Sequence, residues 1–488
     1  MSVQIVPRAK EERIESEQHV PSKEIINQYH GIDVKPGTTK FTPNGVKALL
    51  NHYYSVLTKS SYPSFPSLIL IGPPGVGKST AVREVASEIS ERMGKKFIDV
   101  TKKENRNKVL KHIDNCLSKT NQQDVNACIN SLNYFVFLDL RLTEVEPSDL
   151  IGIPHRIGND FDTSRMEYSP PTWAVIFHYF PGILFLDELS NVNRPDVMSV
   201  AYKLLLDRAA GFVNFNPNVL VVAAGNLPEH APGIAQSLPP PVVNRSSIIY
   251  VDAPSIDEWY EWMVDVLSNV YKNNTNLFND YMETLNIVYA FLYNYPEYFI
   301  SFKYDPKSNE NFPTPRSWSH LVFTTPASLL KSLANKSDVI LAILASFIGN
   351  DTANEFLPIL KESIIIKVDD IINNPELIIE LIDRAEDERS MINRIVSLIG
   401  LLVSKFMRDI DKIPTDKIIK IIDNIKAAGD KIKSGLGCSA VNAIYTPINL
   451  SFMRSMSRRA LVPRPGEESP IYKLSKIGEH IFNICKSR

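Results

Sequence analysis

The chain has 488 residues, too many for one ordinary hydrophobic core, and chains of this length usually fold into about two or three domains. With 44% hydrophobic and 22% charged residues it has the composition of a globular protein, and its formal net charge of −2 excludes a general electrostatic attraction to nucleic acid or anionic lipid. The four cysteines form no C-x-x-C pair, which argues against a zinc site and a disulfide framework and favours a reducing environment.

No segment of the sequence predicts export or a membrane anchor. The N-terminus is charged from residue 8 onward and lacks the apolar stretch that a secretory signal needs. The two longest apolar runs, 339–349 and 395–403, are shorter than the ~20 residues required to cross a bilayer, so both predict core helices. We therefore expect an intracellular, cytoplasmic protein without membrane contact, and association with a virus particle stays open.

The first predicted elements follow a polar N-terminal extension, residues 1–43. A helix with one apolar face is predicted for residues 44–59, and the short apolar run of residues 67–72 predicts a buried parallel strand. A glycine-rich loop leads from this strand into a second amphipathic helix, which Gly94 ends. The region therefore begins with a helix, a strand, a glycine-rich loop and another helix.

Four more apolar runs lie downstream, separated by helical or loop sequence. Strands that alternate with helices predict a parallel sheet covered on both faces. We therefore predict an α/β fold for residues 44–255, with a five-stranded parallel sheet of the phosphate-loop class flanked by helices. The four additional strands are predicted at residues 134–142, 182–189, 218–226 and 247–252.

Beyond residue 255 the strand-like runs give way to helical spacing. Residues 256–350 predict one all-helical domain, and residues 351–488 a further, mostly helical region of unknown role. Residues 451–466 are locally basic, which is typical either of a solvated tail or of contact with nucleic acid or an acidic partner. No histidine spacing indicates a protein-bound catalytic metal.

The glycine-rich loop, GPPGVGKST, fits the phosphate-binding pattern G-x-x-x-x-G-K-[ST]. Because a strand precedes it and a helix follows, its backbone amides and the helix N-terminus can face phosphate oxygens. Lys78 can then reach the β and γ phosphates of a nucleotide, and Ser79 can bind Mg²⁺. The alternative is a glycine-rich turn without a ligand. The residues expected to bind the nucleotide are Gly72, Pro73, Pro74, Gly75, Val76, Gly77, Lys78, Ser79 and Thr80.

Polar residues end two of the predicted strands. Asp187 and Glu188 follow an apolar run, at the strand end where ligands of α/β sheets bind. There Asp187 would hold Mg²⁺, and Glu188 would orient and polarise an attacking water molecule. Asn226, at the end of the next predicted strand, would contact the same water or the γ phosphate. Without a nucleotide, the acidic pair would only begin a loop and Asn226 would be an ordinary turn residue.

Taken in order, these motifs resemble those of the AAA+ ATPases, and several stretches resemble the MoxR-type, helix-2-insert branch of that family. The resemblance extends over roughly residues 45–350, and the motifs are more specific as a set than one by one. The stretches that carry it are VEPSDLIGIP (145–154), FLDELSNVNRPDVMSVAYKLLLDR (185–208), AAGN (223–226), LPPPVVNRSSIIYVDAP (238–254) and TPRSW (314–318).

The resemblance implies that residues 155–175 form a β-hairpin, inserted into the second helix of the family and facing a central pore. It also implies that residues 256–350 form a lid on the α/β domain. Arg245 would be an arginine finger that acts on the nucleotide of a neighbouring subunit. The other implied assignments are Lys78 and Ser79 for Walker A, Asp187 and Glu188 for Walker B, Asn226 for sensor 1 and Arg316 for sensor 2.

The sequence departs from the family pattern in two places. Residues 95–131 are a polar insertion, predicted to be helical, with no family role. Asn244 stands where the family has an aspartate, and no aromatic residue follows Arg245. Arg208 is therefore a competing candidate for the residue that acts across the subunit boundary.

Together these observations predict a Mg²⁺-dependent ATPase that assembles as a homo-oligomeric ring, expected to be a hexamer, and remodels or assembles a protein partner. A ring is expected because an arginine supplied by a neighbour can raise the hydrolysis rate by ~10³–10⁵. The resemblance implies a partner with a von Willebrand factor A domain on a separate chain. Two alternatives stay open: a motor that moves along nucleic acid, and a scaffold that binds ATP without hydrolysing it.

Overall fold

The computed structural model describes residues 39–59, 65–158, 164–228, 235–301, 310–433, 435–456 and 469–486. Most of the predicted N-terminal extension and most of the basic stretch at 451–466 lie outside the described residues. An α/β unit comes first and a purely helical body follows it. The strands are β1 (Ser67–Ile71), β2 (Lys96–Asp99), β3 (Tyr134–Arg141), β4 (Ile153–Ile157), β5 (Arg165–Ser169), β6 (Gly182–Asp187), β7 (Ala209–Ala210), β8 (Val213–Asn214), β9 (Val219–Gly225) and β10 (Ser246–Tyr250).

Helices surround the sheet of the α/β unit and make up the helical body, which we define as α9 to α20. In the α/β unit they are α1 (Pro43–Lys59), α2 (Lys78–Arg92), α3 (Lys103–Leu117), α4 (Gln122–Ser131), α5 (Pro147–Ile151), α6 (Thr172–Tyr179), α7 (Pro195–Asp207) and α8 (Pro240–Arg245). In the helical body they are α9 (Ile256–Val270), α10 (Thr275–Asn294), α11 (Pro315–Thr324), α12 (Ala327–Ser332), α13 (Ser337–Ile348), α14 (Asn350–Ile365), α15 (Val368–Asn373), α16 (Leu377–Asp383), α17 (Glu388–Asp409), α18 (Thr415–Asp430), α19 (Gly437–Met456) and α20 (Pro470–Lys486).

The central sheet has six parallel strands in the order β10-β1-β9-β6-β3-β2. Successive strand residues point to opposite faces, so each face carries its own apolar core. Helices α1 and α2 cover one face, and α3, α4, α6 and α7 cover the other. The predicted parallel sheet covered on both faces is confirmed, and its order brings the carboxyl ends of β1, β9 and β6 together.

The prediction of five strands was wrong by one. The additional strand, β2, pairs with β3 at the edge of the sheet and lies in the stretch 95–131, which was predicted to be helical. It is only four residues long and carries Lys96 and Asp99, so it lacks the apolar run by which the inner strands were found. An edge strand tolerates charge because one of its sides is unpaired. The rest of that stretch forms α3 and α4.

The expectation that the cysteines form no disulfide was also wrong. Cys116 of α3 bonds to Cys128 of α4, and Cys438 of α19 bonds to Cys485 of α20. Each bond joins two consecutive helices that pack side by side, with Cα atoms 5.5 and 5.8 Å apart. Positions that are distant in sequence therefore meet through helix packing, which cysteine spacing does not reveal.

One apolar core extends through the helical body, from Trp259 to Ile481, without a break near residue 350. The two helical regions predicted from the sequence therefore share their interior. Among the described residues, one helix is long and apolar enough to cross a membrane, α17, and 56% of its apolar window is buried inside the protein. It packs in the middle of the helical body, as expected for a core helix.

Two small hairpins project from the α/β unit. β4 and β5 pair antiparallel and overlap the stretch 155–175 where a hairpin was predicted, although β4 begins two residues earlier. Residues 159–163, between the two strands, lie outside the described part of the chain. The sequence had not indicated the second hairpin, β7 and β8, which precedes β9. That the first hairpin faces a pore stays a prediction.

Candidate active site

The glycine-rich loop leaves β1 and enters α2, whose first residue is Lys78. Gly75 and Gly77 have φ angles of +78° and +100°, which residues with a side chain rarely adopt. A Cβ atom at Gly75 would also lie 2.9 Å from Thr314 Oγ1, so this glycine lets the N-terminus of α11 approach the loop. The Arg316 backbone N–H donates to the Gly75 carbonyl at 3.2 Å. The loop is therefore held between the α/β unit and the helical body.

Lys78 is buried, with 9% of its surface exposed. Its Nζ donates to the carbonyls of Gly72 and Pro73 at 2.8 and 2.7 Å and to Asn226 Oδ1 at 3.1 Å. Burial lowers the pKa of this ammonium from 10.5 to about 8, and Arg316 acts in the same direction while Asp187 opposes it. All three hydrogen-bonded oxygens are neutral, so the site suits an anion.

Ser79 and Asp187 meet across the sheet edge, as expected for two ligands of one cation. Ser79 Oγ donates to Asp187 Oδ2 at 2.8 Å, and Asp187 Oδ1 accepts from the backbone N–H of Glu188 at 2.9 Å. Hydroxyl and carboxylate oxygens are the ligands that Mg²⁺ prefers. The donor set therefore fits a magnesium ion that arrives with phosphates.

Glu188 has an unusual backbone conformation, with φ 61° and ψ 30°. A non-glycine residue in this left-handed region is uncommon, and such strained positions cluster at functional sites. Its carboxylate accepts a hydrogen bond from Thr143 Oγ1 at 2.6 Å. Thr143 lies just after β3, and the sequence had not singled it out. The side chain of Glu188 is therefore oriented by a neighbouring strand end.

Asn226 follows β9 and faces the same space as Lys78. Its backbone N–H donates to Ser190 Oγ at 2.7 Å, and Ser190 is almost fully buried. Its side-chain oxygen accepts a hydrogen bond from Lys78 Nζ, so Asn226 links the end of β9 to the glycine-rich loop. Residues from β1, β6 and β9 thus converge, which the strand order explains.

The two candidate arginine fingers differ in their surroundings. Arg208 Nη2 donates to the carbonyls of Pro217 and Val219, so its guanidinium is engaged within its own α/β unit. Arg245 ends α8 beside the edge strand β10 and is exposed. Within the described residues no hydrogen bond or ion pair holds it. This geometry favours Arg245 as the arginine that can reach another chain.

The prolines before Arg245 act in two ways. Pro239 is extended, with φ −63° and ψ 143°. Pro240 and Pro241 occupy the first turn of α8, where proline is tolerated because its missing N–H has no partner there. Arg245 is therefore presented at the end of a short helix.

A cavity of about 210 Å³ lies beside the glycine-rich loop, between the α/β unit and the helical body. Its walls come from α1, α2, α9 and α11 and are mostly apolar with a few polar groups, as is typical of small-molecule sites. Arg316 lines this cavity and is exposed to solvent. Lys47, Glu84 and Trp262 also line it. The sequence had not identified these three residues.

Asp139, an acidic residue that the sequence had not indicated, lies on β3 close to Asp187. Burial raises its pKa from 3.8 to about 6, the charge of Asp187 adds to the shift, and Arg83 opposes it. Arg83 lies on α2 and forms ion pairs with Asp99 and, at 3.8 Å, with Asp139. A carboxylate at the end of a buried strand was the signal that identified Asp187, and it applies equally to Asp139.

The α/β unit is similar to a known protein family. Residues 68–250 match the model of the family described as AAA: ATPase family associated with various cellular activities (AAA). The matched segment runs from β1 to β10 and does not include the helical body. No curated protein matches the chain.

Similar solved structures include that of C. elegans PCH-2, at 14% identity, which covers 78% of this chain and 72% of that chain with a TM-score of 0.24. NtrX from Brucella abortus in complex with ADP is 12% identical, with 70% of this chain and 66% of that chain covered and a TM-score of 0.28. The NtrX complex with ATP is 14% identical, with 69% and 71% covered and a TM-score of 0.26. At TM-scores below 0.5 these similarities do not establish a shared overall fold.

Proposed function

We propose that the chain is a MoxR-type AAA+ ATPase, which hydrolyses ATP in a homo-oligomeric ring and uses the energy to remodel or assemble a protein partner. The observation that carries the proposal is the convergence of three separate motifs at one sheet edge. Lys78 bonds to Asn226 at 3.1 Å, and Ser79 bonds to Asp187 at 2.8 Å. The AAA-family match over residues 68–250 supports the same conclusion.

The residues divide the chemistry among them. Amides of the loop and of the first turn of α2 would bind the phosphates, with Lys78 neutralising the β and γ groups. Ser79 and Asp187 would hold Mg²⁺, which supplies further neutralisation of phosphate charge when bound. Glu188 would accept a hydrogen bond from the attacking water and orient it, and Asn226 would fix the γ phosphate.

Arg245 would complete the site of a neighbouring subunit, which makes hydrolysis depend on assembly. Its exposure at the edge of the sheet supports this role, as does the engagement of Arg208 inside the chain. A hexamer and a separate partner with a von Willebrand factor A domain are proposed from the resemblance to MoxR-type proteins.

A subunit-mixing experiment tests the proposal. Glu188→Gln and Arg245→Ala should each lower hydrolysis by ~10³-fold or more, while a mixture regains activity, because an Arg245→Ala subunit keeps its own glutamate and can receive a finger from its neighbour. The measurement is phosphate release, with ring size followed by light scattering. Arg384→Ala, which removes an exposed arginine of the helical body, is the control and should retain full activity.

Two results would contradict this assignment. Intact mixed rings without any recovery would show that Arg245 does not act across the interface. Hydrolysis that rises strongly on addition of nucleic acid and falls steeply with salt would favour a nucleic-acid motor over a protein remodeller.

A further inference from the structure

Two side-chain hydrogen bonds join the α/β unit to the helical body at the cavity. Trp262 Nε1 on α9 donates to Glu84 Oε1 on α2 at 2.7 Å. Thr42 Oγ1, just before α1, donates to Glu258 Oε1 on α9 at 2.8 Å. Glu84 lies on the helix that begins with Lys78, so the phosphate loop and the contact to the helical body share one rigid element.

Glu84 is held from both sides. Its second oxygen, Oε2, accepts from Lys47 Nζ of α1 at 3.0 Å, and both side chains are half-buried. Hydrogen bonds to an ionised carboxylate are about twice as strong as neutral ones. Lys47, Glu84 and Trp262 all line the cavity, so this chain of hydrogen bonds crosses its wall.

The orientation of α9 explains why Trp262 is the residue that reaches α2. The buried face of α9, with Trp259, Met263 and Leu267, packs into the core of the helical body. Trp262 is only partly buried and turns its indole toward the α/β unit. An indole N–H can only donate, so the bond to Glu84 needs an acceptor at that place.

We propose that Glu84 and Trp262 form a latch that keeps the helical body closed over the cavity and thereby sets how long a nucleotide stays bound. The inference rests on the proposed function, because it requires that the base and ribose of the nucleotide occupy the cavity. Glu84 is a positioning residue: it acts through Trp262 and touches neither the phosphates nor the attacking water. Opening the cavity requires the Trp262–Glu84 bond to break.

Trp262→Phe tests the latch, since it keeps an aromatic ring in the wall and removes the N–H donor. A hydrogen bond to a charged group is worth ~1.5–3 kcal/mol, so a fluorescent ADP derivative should dissociate at least about 10-fold faster. The rate of a single turnover of hydrolysis should not change. Glu84→Gln keeps an acceptor for Trp262 but loses the ion pair with Lys47, and should give an intermediate dissociation rate.

The chain offers a matched control on the same two helices. Asn51 Nδ2 of α1 donates to Glu88 Oε2 of α2 at 3.1 Å, one helical turn beyond the Lys47–Glu84 pair, exposed and outside the cavity wall. Glu88→Ala removes that bond and should leave the dissociation rate unchanged. If Glu84 only fixed α1 to α2, Glu84→Gln and Glu88→Ala would change the ADP dissociation rate by similar amounts.

The outcomes separate the latch from the proposed function. If Lys78→Ala abolishes nucleotide binding while Trp262→Phe and Glu84→Gln release ADP at the wild-type rate, the latch is wrong and the ATPase stands. If Lys78→Ala binds normally, the nucleotide site is wrong and the latch falls with it. Faster release from the two latch variants, with the Glu88→Ala control unaffected, would establish the inference.

Discussion

Among the residues that the structure describes, the α/β unit and the helical body each bury one lysine, and the two lysines have opposite roles. Lys78 is 9% exposed and Lys473 is 4% exposed. Each ammonium donates three hydrogen bonds: Lys78 to two carbonyls and Asn226, and Lys473 to the carbonyls of Ile410, Asp411 and Ile413 at 3.1, 2.9 and 2.8 Å. By burial and by hydrogen-bond number they are alike.

The difference lies in the helix ends beside them. Lys78 begins α2, and a helix N-terminus carries partial positive charge, so the position favours an anion and disfavours a cation. Lys473 reaches from α20 to carbonyls at and just beyond the C-terminal end of α17, where partial negative charge favours a cation. Lys473 therefore stabilises the fold as it stands, whereas Lys78 is placed for a ligand that brings negative charge.

The largest effect that tests this contrast is on ligand binding. Lys78→Ala should weaken ATP binding by at least about 100-fold, because removing one member of a buried charge pair costs about 3–5 kcal/mol. Its free energy of unfolding without nucleotide should fall by less than that of a Lys473 variant, since the unfavourable burial of a cation at a helix N-terminus offsets part of the stability from the three hydrogen bonds that Lys78 donates. Calorimetric titration with ATP and denaturant unfolding measure the two quantities. A Lys78→Ala variant that is strongly destabilised would erase the difference between the two lysines.

Lys473→Met should give the opposite pattern. The methionine keeps an apolar stem but leaves three carbonyls without their donor, and one buried unsatisfied group costs about 1–3 kcal/mol. We expect the free energy of unfolding to fall by about 3 kcal/mol while ATP affinity stays the same. Lys433→Met, on the surface of the same body, is the control. If ATP binding also weakened, Lys473 would be coupled to the nucleotide site.

The sequence predicts the ligand lysine and not the structural one, for a physical reason. The phosphate loop is a contiguous sequence pattern that contains both its glycines and its lysine. Asp187 and Asn226 each stand at the end of a strongly apolar run. Lys473 donates to carbonyls that lie 60 to 63 positions away in the sequence. Nothing in the local sequence therefore distinguishes it from a surface lysine.

The same limit explains the other omissions. Trp262 and Glu84 are 178 positions apart and meet only because the helical body folds back on α2. The edge strand β2 is short and charged, so it lacks an apolar run. Inner strands, by contrast, are buried on both faces and are visible as continuous apolar runs. Local patterns therefore predict the sheet and the phosphate site, and contacts between distant helices need the structure.

The two disulfides extend the comparison to both regions. Cys116–Cys128 spans 12 positions in the α/β unit, and Cys438–Cys485 spans 47 in the helical body. In the chain-entropy account, a longer closed loop restricts the unfolded chain more. Replacing both cysteines of a pair by serine should therefore destabilise the protein by about 1 kcal/mol more for the Cys438 pair than for the Cys116 pair. Denaturant unfolding of the two double variants measures the difference, and a reversed order would contradict the entropic explanation.

The smallest effect concerns Asp139, whose carboxyl lies close enough to Asp187, one of the two proposed magnesium ligands, for their charges to interact. In the unfolded chain it ionises near its ordinary pKa of 3.8, whereas burial in the fold raises the pKa to about 6. The stability contributed by the protonated form is therefore present below 3.8 and is lost as the pH rises through about 6. Asp139→Asn cannot ionise and should be more stable than the wild type at neutral pH, by less than about 1 kcal/mol because solvent screens the charge of this half-buried carboxylate.

The gain in stability of Asp139→Asn should shrink as the pH falls through the titration of the wild-type carboxyl, which thermal unfolding at several pH values can follow. Asp196→Asn is the control, since that carboxylate is exposed and paired with Arg194 at 2.9 Å. A stability difference that stays constant with pH would mean that Arg83 keeps Asp139 ionised throughout. In that case the α/β unit would stabilise the charge of Asp139 inside the fold, as the helical body does for Lys473. Of the buried charges compared, only Lys78 in the phosphate loop would then be placed for a ligand.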